Sequence, residues 1–245
     1  MQRVLPDNTT VRWLGHSTVL IETAQGKRIL IDPWTHQNPA CPAEYKDPGP
    51  LDLILITHGH ADHIADLPTL IQQHPCRVVA LVEIADILPR FGIPADLVVG
   101  MNRGGTVHFP DLQLSVTQTV AVHSNSIDLG DTPIPCSDPS GYVVTVDNGP
   151  AIYHAGDTAV FSDMALIAEI YQPTLACLPI GDHFTMGPRE AAVACRLLGP
   201  VPAVLPIHWG TFPVLTGTPD SLRFELSRRK IPTEVLDIAP GDTVH

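Results

Sequence analysis

The stretch Leu51-Asp-Leu-Ile-Leu-Ile-Thr-His-Gly-His-Ala-Asp-His63 decides the fold. Its first six residues read as a buried strand, and Thr57–His63 then pack three imidazoles and one carboxylate into seven positions. His58 and His60 are two apart, so an extended backbone turns them to the same side. Asp62 and His63 fall where the chain turns into a helix predicted over 63–73, and aim at a second point nearby. Imidazole and carboxylate suit zinc and its first-row neighbours. One strand end that offers two pairs of ligands points to two metal ions side by side, against the alternative of a solvated His-rich turn.

Outward from this strand, alternating and apolar segments predict strands over 10–15, 17–23 and 28–32, with a hairpin turn at Gln25-Gly26. After the 63–73 helix come a strand over 77–82, a helix over 83–91 and short strands near 97–100 and 106–109. The second part repeats the order. A strand over 112–123 is followed by a loop over 124–140 and a hairpin, 142–146 with 151–154, turned at Asp147-Asn148-Gly149. Helices over 162–171, 189–198 and 221–230 alternate with strands over 175–180, 204–207 and 234–238. Strands first and helices after, twice over, predict an α/β protein of the α+β kind: an αβ/βα four-layer sandwich. The whole chain, 1–245, is expected to be one domain of two similar halves, about 1–105 and 106–245.

The chain is 44% hydrophobic and 16% charged, a globular composition, and its formal charge of −12 disfavours nucleic acid as a partner. The five cysteines form no C-x-x-C pair, which suits a reducing compartment. With no signal peptide and no membrane-spanning stretch, the chain is expected to be cytoplasmic and free of the membrane. A homo-oligomer is compatible with the sequence and not specified by it.

Two ions need more ligands, and three candidates stand at predicted strand ends: His123, Asp157 after Gly156, and His208. A single histidine in such a place is ordinarily a core residue; three candidates in a chain that already carries the cluster point to one site. Together with Gly15-His16-Ser17, Ile31-Asp32-Pro33, 153–158, 178–188 and 206–213, they resemble the metallo-β-lactamase fold. More narrowly the chain is similar to a prokaryotic family of metal-dependent hydrolases, and more distantly to ascorbate-6-phosphate lactonases and N-acylethanolamine phospholipase D. The resemblance implies that His58, His60 and His123 hold one ion, that Asp62, His63 and His208 hold the other, and that Asp157 bridges them. The ions are expected to be zinc, with manganese, nickel or iron compatible.

Two divalent ions roughly 3.5–4 Å apart can share one water and make it hydroxide near neutral pH. The expected activity is therefore hydrolysis of an ester, lactone, amide or phosphodiester in a small molecule, with Asp62 and Asp157 as catalytic carboxylates. The alternative is a non-catalytic metal-dependent binding protein. An oxygen-reducing di-iron site is disfavoured, because His60 stands where such sites carry a carboxylate. Asp32 is a candidate to hold a ligand imidazole from behind, or an ordinary turn residue before Pro33. His16 either orients substrate or packs. Asp182 and His183 can reach the mouth of the site, His183 as a partner for the leaving group or oxyanion. Loops 33–50 and 124–140 are long for simple connections and are expected to form the substrate pocket.

Overall fold

A computed structural model of the protein describes residues 4–128, 130, 132–199 and 201–245. The first sheet contains β1 (Thr10–Trp13), β2 (Val19–Glu22), β3 (Arg28–Ile31), β4 (Leu53–Leu55), β5 (Arg77–Leu81) and β6 (Val98–Met101). The second contains β7 (Thr106–Phe109) and β8 (Leu114–Val120), then β11 (Ser140–Val146), β12 (Ala151–His154), β13 (Leu175–Pro179), β14 (Ala203–Ile207) and β15 (Glu234–Val235). Between β8 and β11, β9 (Ser126–Asp128) and β10 (Pro133–Pro135) pair as a separate two-stranded ribbon. The last strand, β16 (Thr243–Val244), returns to the first sheet beside β1.

The orders are β16-β1-β2-β3-β4-β5-β6 and β7-β8-β11-β12-β13-β14-β15. Each runs through three antiparallel pairings and then three parallel ones. The change of sheet falls between Met101 and Thr106, close to the expected midpoint, while β16 crosses back over it.

Alternation along the strands explains the layers. Ile29, Ile31, Leu53 and Leu55 of the first sheet meet Val116, Tyr142, Val144, Cys177 and Leu205 of the second in the central core. The opposite faces, Leu30, Ile54 and Val78, lie against helices α1 (Ala61–Ile64), α2 (Leu67–Gln73) and α3 (Val82–Ala85). Val143, Tyr153, Ala176 and Val204 are covered by α4 (Met164–Tyr171), α5 (Pro188–Leu197) and α6 (Pro219–Arg229). The result is helix, sheet, sheet, helix: the αβ/βα sandwich of the metallo-β-lactamase fold. Among the described residues no helix is long and apolar enough to cross a membrane.

Several predicted boundaries move. The helix expected over 63–73 begins at Ala61 and breaks at Ala65-Asp66, with Pro68 in the first turn of α2. The helix over 83–91 is the single turn α3 followed by a 3-10 turn, Leu88–Phe91, which contains Pro89. The strand over 112–123 stops at Val120. Beyond it Val122 leaves the sheet to bond Thr158 Oγ1 through its N–H (3.0 Å) and Ala159 N through its carbonyl (2.9 Å).

Candidate metal centre

The clustered residues leave strands that share a direction within each sheet, at their C-terminal ends. Asp32 follows β3 and the Thr57–His63 segment follows β4; Asp157 follows β12, His208 follows β14, and His123 lies three residues past β8. His16 sits in the turn between β1 and β2, and its carbonyl accepts from His208 N at 2.9 Å, a backbone bond between the two sheets. His16, Asp32 and His208 hold φ values of 55°, 53° and 52°, left-handed backbone that ordinary residues avoid. Such strain gathers where a structure over-determines side-chain direction. Gly156 has φ 63°, and a Cβ there would lie 2.5 Å from Ser140 O.

Three sets of ligand atoms converge: His58 with His60 and His123; His16 with Asp62, His63 and His208; and His58 with His63 and Asp157. His58 Nε2 lies 3.0 Å from His60 Nδ1. Asp157 Oδ2 lies 3.0 Å from His208 Nε2, 3.4 Å from His63 Nε2 and 3.8 Å from His123 Nε2. His16, His58, His63, His208 and Asp157 are buried, His60 and His123 are half-buried, and the Asp62 side chain is 30% exposed. Solvent therefore reaches the cluster along its His60, Asp62 and His123 side.

Behind these residues a hydrogen-bond chain sets ring orientation. Asp32 accepts from Thr57 N and Thr57 Oγ1, each at 2.8 Å, and from His63 Nδ1 at 2.8 Å. Because the Thr57 hydroxyl proton is committed to Asp32, Thr57 Oγ1 accepts from His58 Nδ1 (3.0 Å). That leaves the His58 Nε2 lone pair facing inward. His16 donates from Nε2 to Asp62 Oδ2 (3.1 Å) and accepts at Nδ1 from Thr211 Oγ1 (3.0 Å), boxed by the rings of Trp34, His208 and Phe212. Ser17 Oγ donates to Asp157 Oδ1 at 3.3 Å. His154 bonds Ser17 O and Gly156 N, a structural part.

Charge is uneven across the cluster. Burial, with neighbouring histidines adding to it, lowers the pKa of His58, His60 and His123. Burial also opposes charge on His63, yet Asp157 and Asp32 together raise it well above the usual histidine range. Burial likewise opposes ionisation of Asp157 and is outweighed by His208 and His63, which hold that carboxyl well below its ordinary value. Asp62 is lowered in the same way, burial being overcome by its bond from His16. Burial brings His16 itself down to about 4.

The donor set fits metal ions. His63 Nε2 is buried with no hydrogen-bond partner, and two ring nitrogens 3.0 Å apart at His58 and His60 are aimed at each other. Cations in the cluster would satisfy these atoms.

Not every expected residue is brought in. Asp182 and His183 lie exposed on the loop after β13, where Asp182 Oδ1 accepts from His183 N and the His183 ring meets Phe184. Neither belongs to the converging sets. Loop 33–50 is packed down along its first part: Trp34, Thr35, Asn38 and Cys41 are buried, and Asp66 pins it through Thr35 N, Gln37 N and Gln37 Nε2. Lys46 and Arg103 are engaged with Thr35 O and Asp138. Thr57, Ser17, Thr211 and Asn125 support the cluster without having been singled out. Thr57 and Ser17 adjoin ligand motifs, which was the available signal; Asn125 had none.

Fold and site together define a metallo-hydrolase of mixed α/β architecture. Residues 27–209 match the model of the beta-lactamase superfamily domain, and the chain belongs to that superfamily. A UPF0173 metal-dependent hydrolase of Roseiflexus sp. is 44% identical over 239 residues, covering 96% of this chain and 97% of the relative. A namesake from Methanosarcina barkeri is 39% identical over 234 residues, with 96% and 97% covered. Igni18, a metallo hydrolase from Ignicoccus hospitalis, superposes with a TM-score of 0.83 at 33% identity over 96% of this chain and 97% of its own. The protein is a metal-dependent hydrolase, with a His/Asp cluster able to hold metal.

Proposed function

We propose that the cluster is a dinuclear centre, with one ion held by His58, His60 and His123, the other by Asp62, His63 and His208, and Asp157 shared between them. Zinc suits this donor set best, and manganese, nickel or iron are compatible. The carrying observation is Asp157 Oδ2, which lies within 3.8 Å of a nitrogen from each histidine set. Two such ions supply Lewis acidity and lower the pKa of water at the site, chemistry suited to cleaving an ester, lactone, amide or phosphodiester of a small molecule.

The chain's own residues keep that chemistry in register. Asp32 fixes the His63 ring and, through Thr57, the His58 ring. His16 holds Asp62 by one oxygen on the solvent-facing side, leaving the other free. Ser17 holds buried Asp157 by Oδ1, with Oδ2 turned to the histidines. The reading takes the chain as one domain of two similar halves, with the centre where strand ends of both sheets meet. In this proposal His183 meets the leaving group once substrate is bound.

The test is metal analysis of purified protein together with turnover of p-nitrophenyl esters, lactones, amides and bis-p-nitrophenyl phosphate after loading with zinc, manganese or nickel. Turnover that Asp157→Ala abolishes while the fold is retained supports the proposal. No turnover across the panel would move the assignment to a metal-dependent binder.

A further inference from the structure

We infer that Asn125 is a positioning residue that sets the three-histidine half of the centre, by tying the turn between His58 and His60 to the segment that carries His123. The inference rests on the two-ion reading above. Asn125 is buried, and its side chain spends both ends on backbone. Oδ1 accepts from Gly59 N at 2.9 Å, while Nδ2 donates to Cys136 O at 2.7 Å and Asp138 O at 3.4 Å. Gly59 is the residue between the two ligands of the turn, and Asn125 stands two residues after the third. One amide therefore fixes the relative places of His58, His60 and His123, which are otherwise 63 or more residues apart across the sequence gap.

The approach is as tight as backbone permits. A Cβ on Gly59 would lie 2.3 Å from Ile127 Cγ1 and 2.8 Å from Ser126 O, so glycine alone lets loop 124–140 seat against the turn. The far end of that loop is tied to the same turn: Ser140 N and Ser140 Oγ both donate to Thr57 O at 3.0 Å. A loop expected to wall a pocket is thus clamped to the ligand turn at both ends. Displacing Gly59 shifts two imidazoles whose facing nitrogens are 3.0 Å apart. Ligand geometry of that kind is what residues behind a metal site control, at about 10–100-fold in affinity.

The experiment titrates metal-free full-length protein with zinc by calorimetry and with cobalt by visible absorption, alongside thermal unfolding. Wild type is expected to take up two ions. Asn125→Ala is expected to weaken one of the two binding steps at least about tenfold and to change the cobalt d–d spectrum, leaving the other step in place. Asn125→Asp, which keeps the acceptor for Gly59 N, is expected to recover most of the lost affinity. Ile127→Ala, which removes loop packing alone, is expected to lower Tm with both binding steps intact. If Asn125→Ala does not fold, Asn125→Ser carries the same test, its hydroxyl being too short to reach Gly59. An alanine or serine variant that melts earlier yet keeps both affinities and the cobalt spectrum makes Asn125 a loop staple and overturns the inference. A wild type that takes up a single ion overturns the two-ion reading instead, before any variant is read.

Discussion

The two halves of the proposed centre use the same side chain under opposite electrostatic conditions. His58, His60 and His123 converge as a set with no carboxylate of its own, Asp157 standing 3.8 Å from His123, and burial lowers their pKa values. Opposite them, His63 is enclosed between Asp32 and Asp157, which outweigh burial and raise its pKa well above the usual histidine value. One half is therefore ready to accept a cation at neutral pH. The other must release a proton to do so. Spacing sends His60 and His63 to different points; only their surroundings give them opposite pKa shifts.

Removing a ligand from either half is the severest test of this contrast. His58→Ala and His208→Ala are each expected to cost one bound ion and roughly 10²–10³-fold in kcat, read by metal analysis and hydrolysis of the best substrate found. If either variant keeps two ions, the division into halves is wrong. Asp32→Asn comes next. It is expected to weaken binding at the His63 half by about 10–100-fold in chelator competition, because the ring loses its carboxylate backing. An equal loss at both halves would show that Thr57 and His58 depend on Asp32 as much as His63 does.

Acidity sharpens the contrast in the metal-free protein. His16, His58, His60, His123 and His154 all have lowered pKa values. Their contribution to stability is present above the unfolded value near 6.5 and is lost as pH falls toward the folded values, because the unfolded chain binds protons that the native chain refuses. His63 has the opposite sign: its contribution is full below about 6.5 and is lost only as pH rises through its raised folded value. Five lowered groups against one raised predict a Tm that falls between pH 7 and pH 5 in chelator-treated protein. A Tm that rises over that interval would mean that the His63 pairs dominate.

The smallest effect is expected from Thr211→Val, which deletes the hydroxyl donated to His16 Nδ1. About 1 kcal/mol of stability is expected to go, with activity reduced only a fewfold, since the His16 bond to Asp62 is untouched. Urea unfolding measures the first and initial rates the second; a loss as large as that of Asp32→Asn would place His16 among the principal supports.

The ligand cluster at 57–63 was legible because its information is local: a buried strand, then two histidines on one side and a turn. The layers were legible for the same reason, strands and helices having different apolar periods. Loop 124–140 was not. Its ribbon of β9 and β10 has prolines at both ends of one short strand, so no alternation announces it. Asn125 is one polar residue in a polar loop, and only the approach of a turn 66 residues away gives its amide a purpose. The strand expected over 112–123 runs three residues past its observed end at Val120, because Thr158 draws Val122 out of the sheet through a contact no local pattern records.

By itself the sequence determined that a His/Asp cluster able to hold metal gathers at strand ends, and that the layers are four, both of which follow from residue type and short-range periodicity. Tertiary structure decided which histidine pKa values fall, which one rises, and which hydrogen bonds orient the rings. Those outcomes depend on burial and on partners brought from distant strands, and a one-dimensional pattern carries neither.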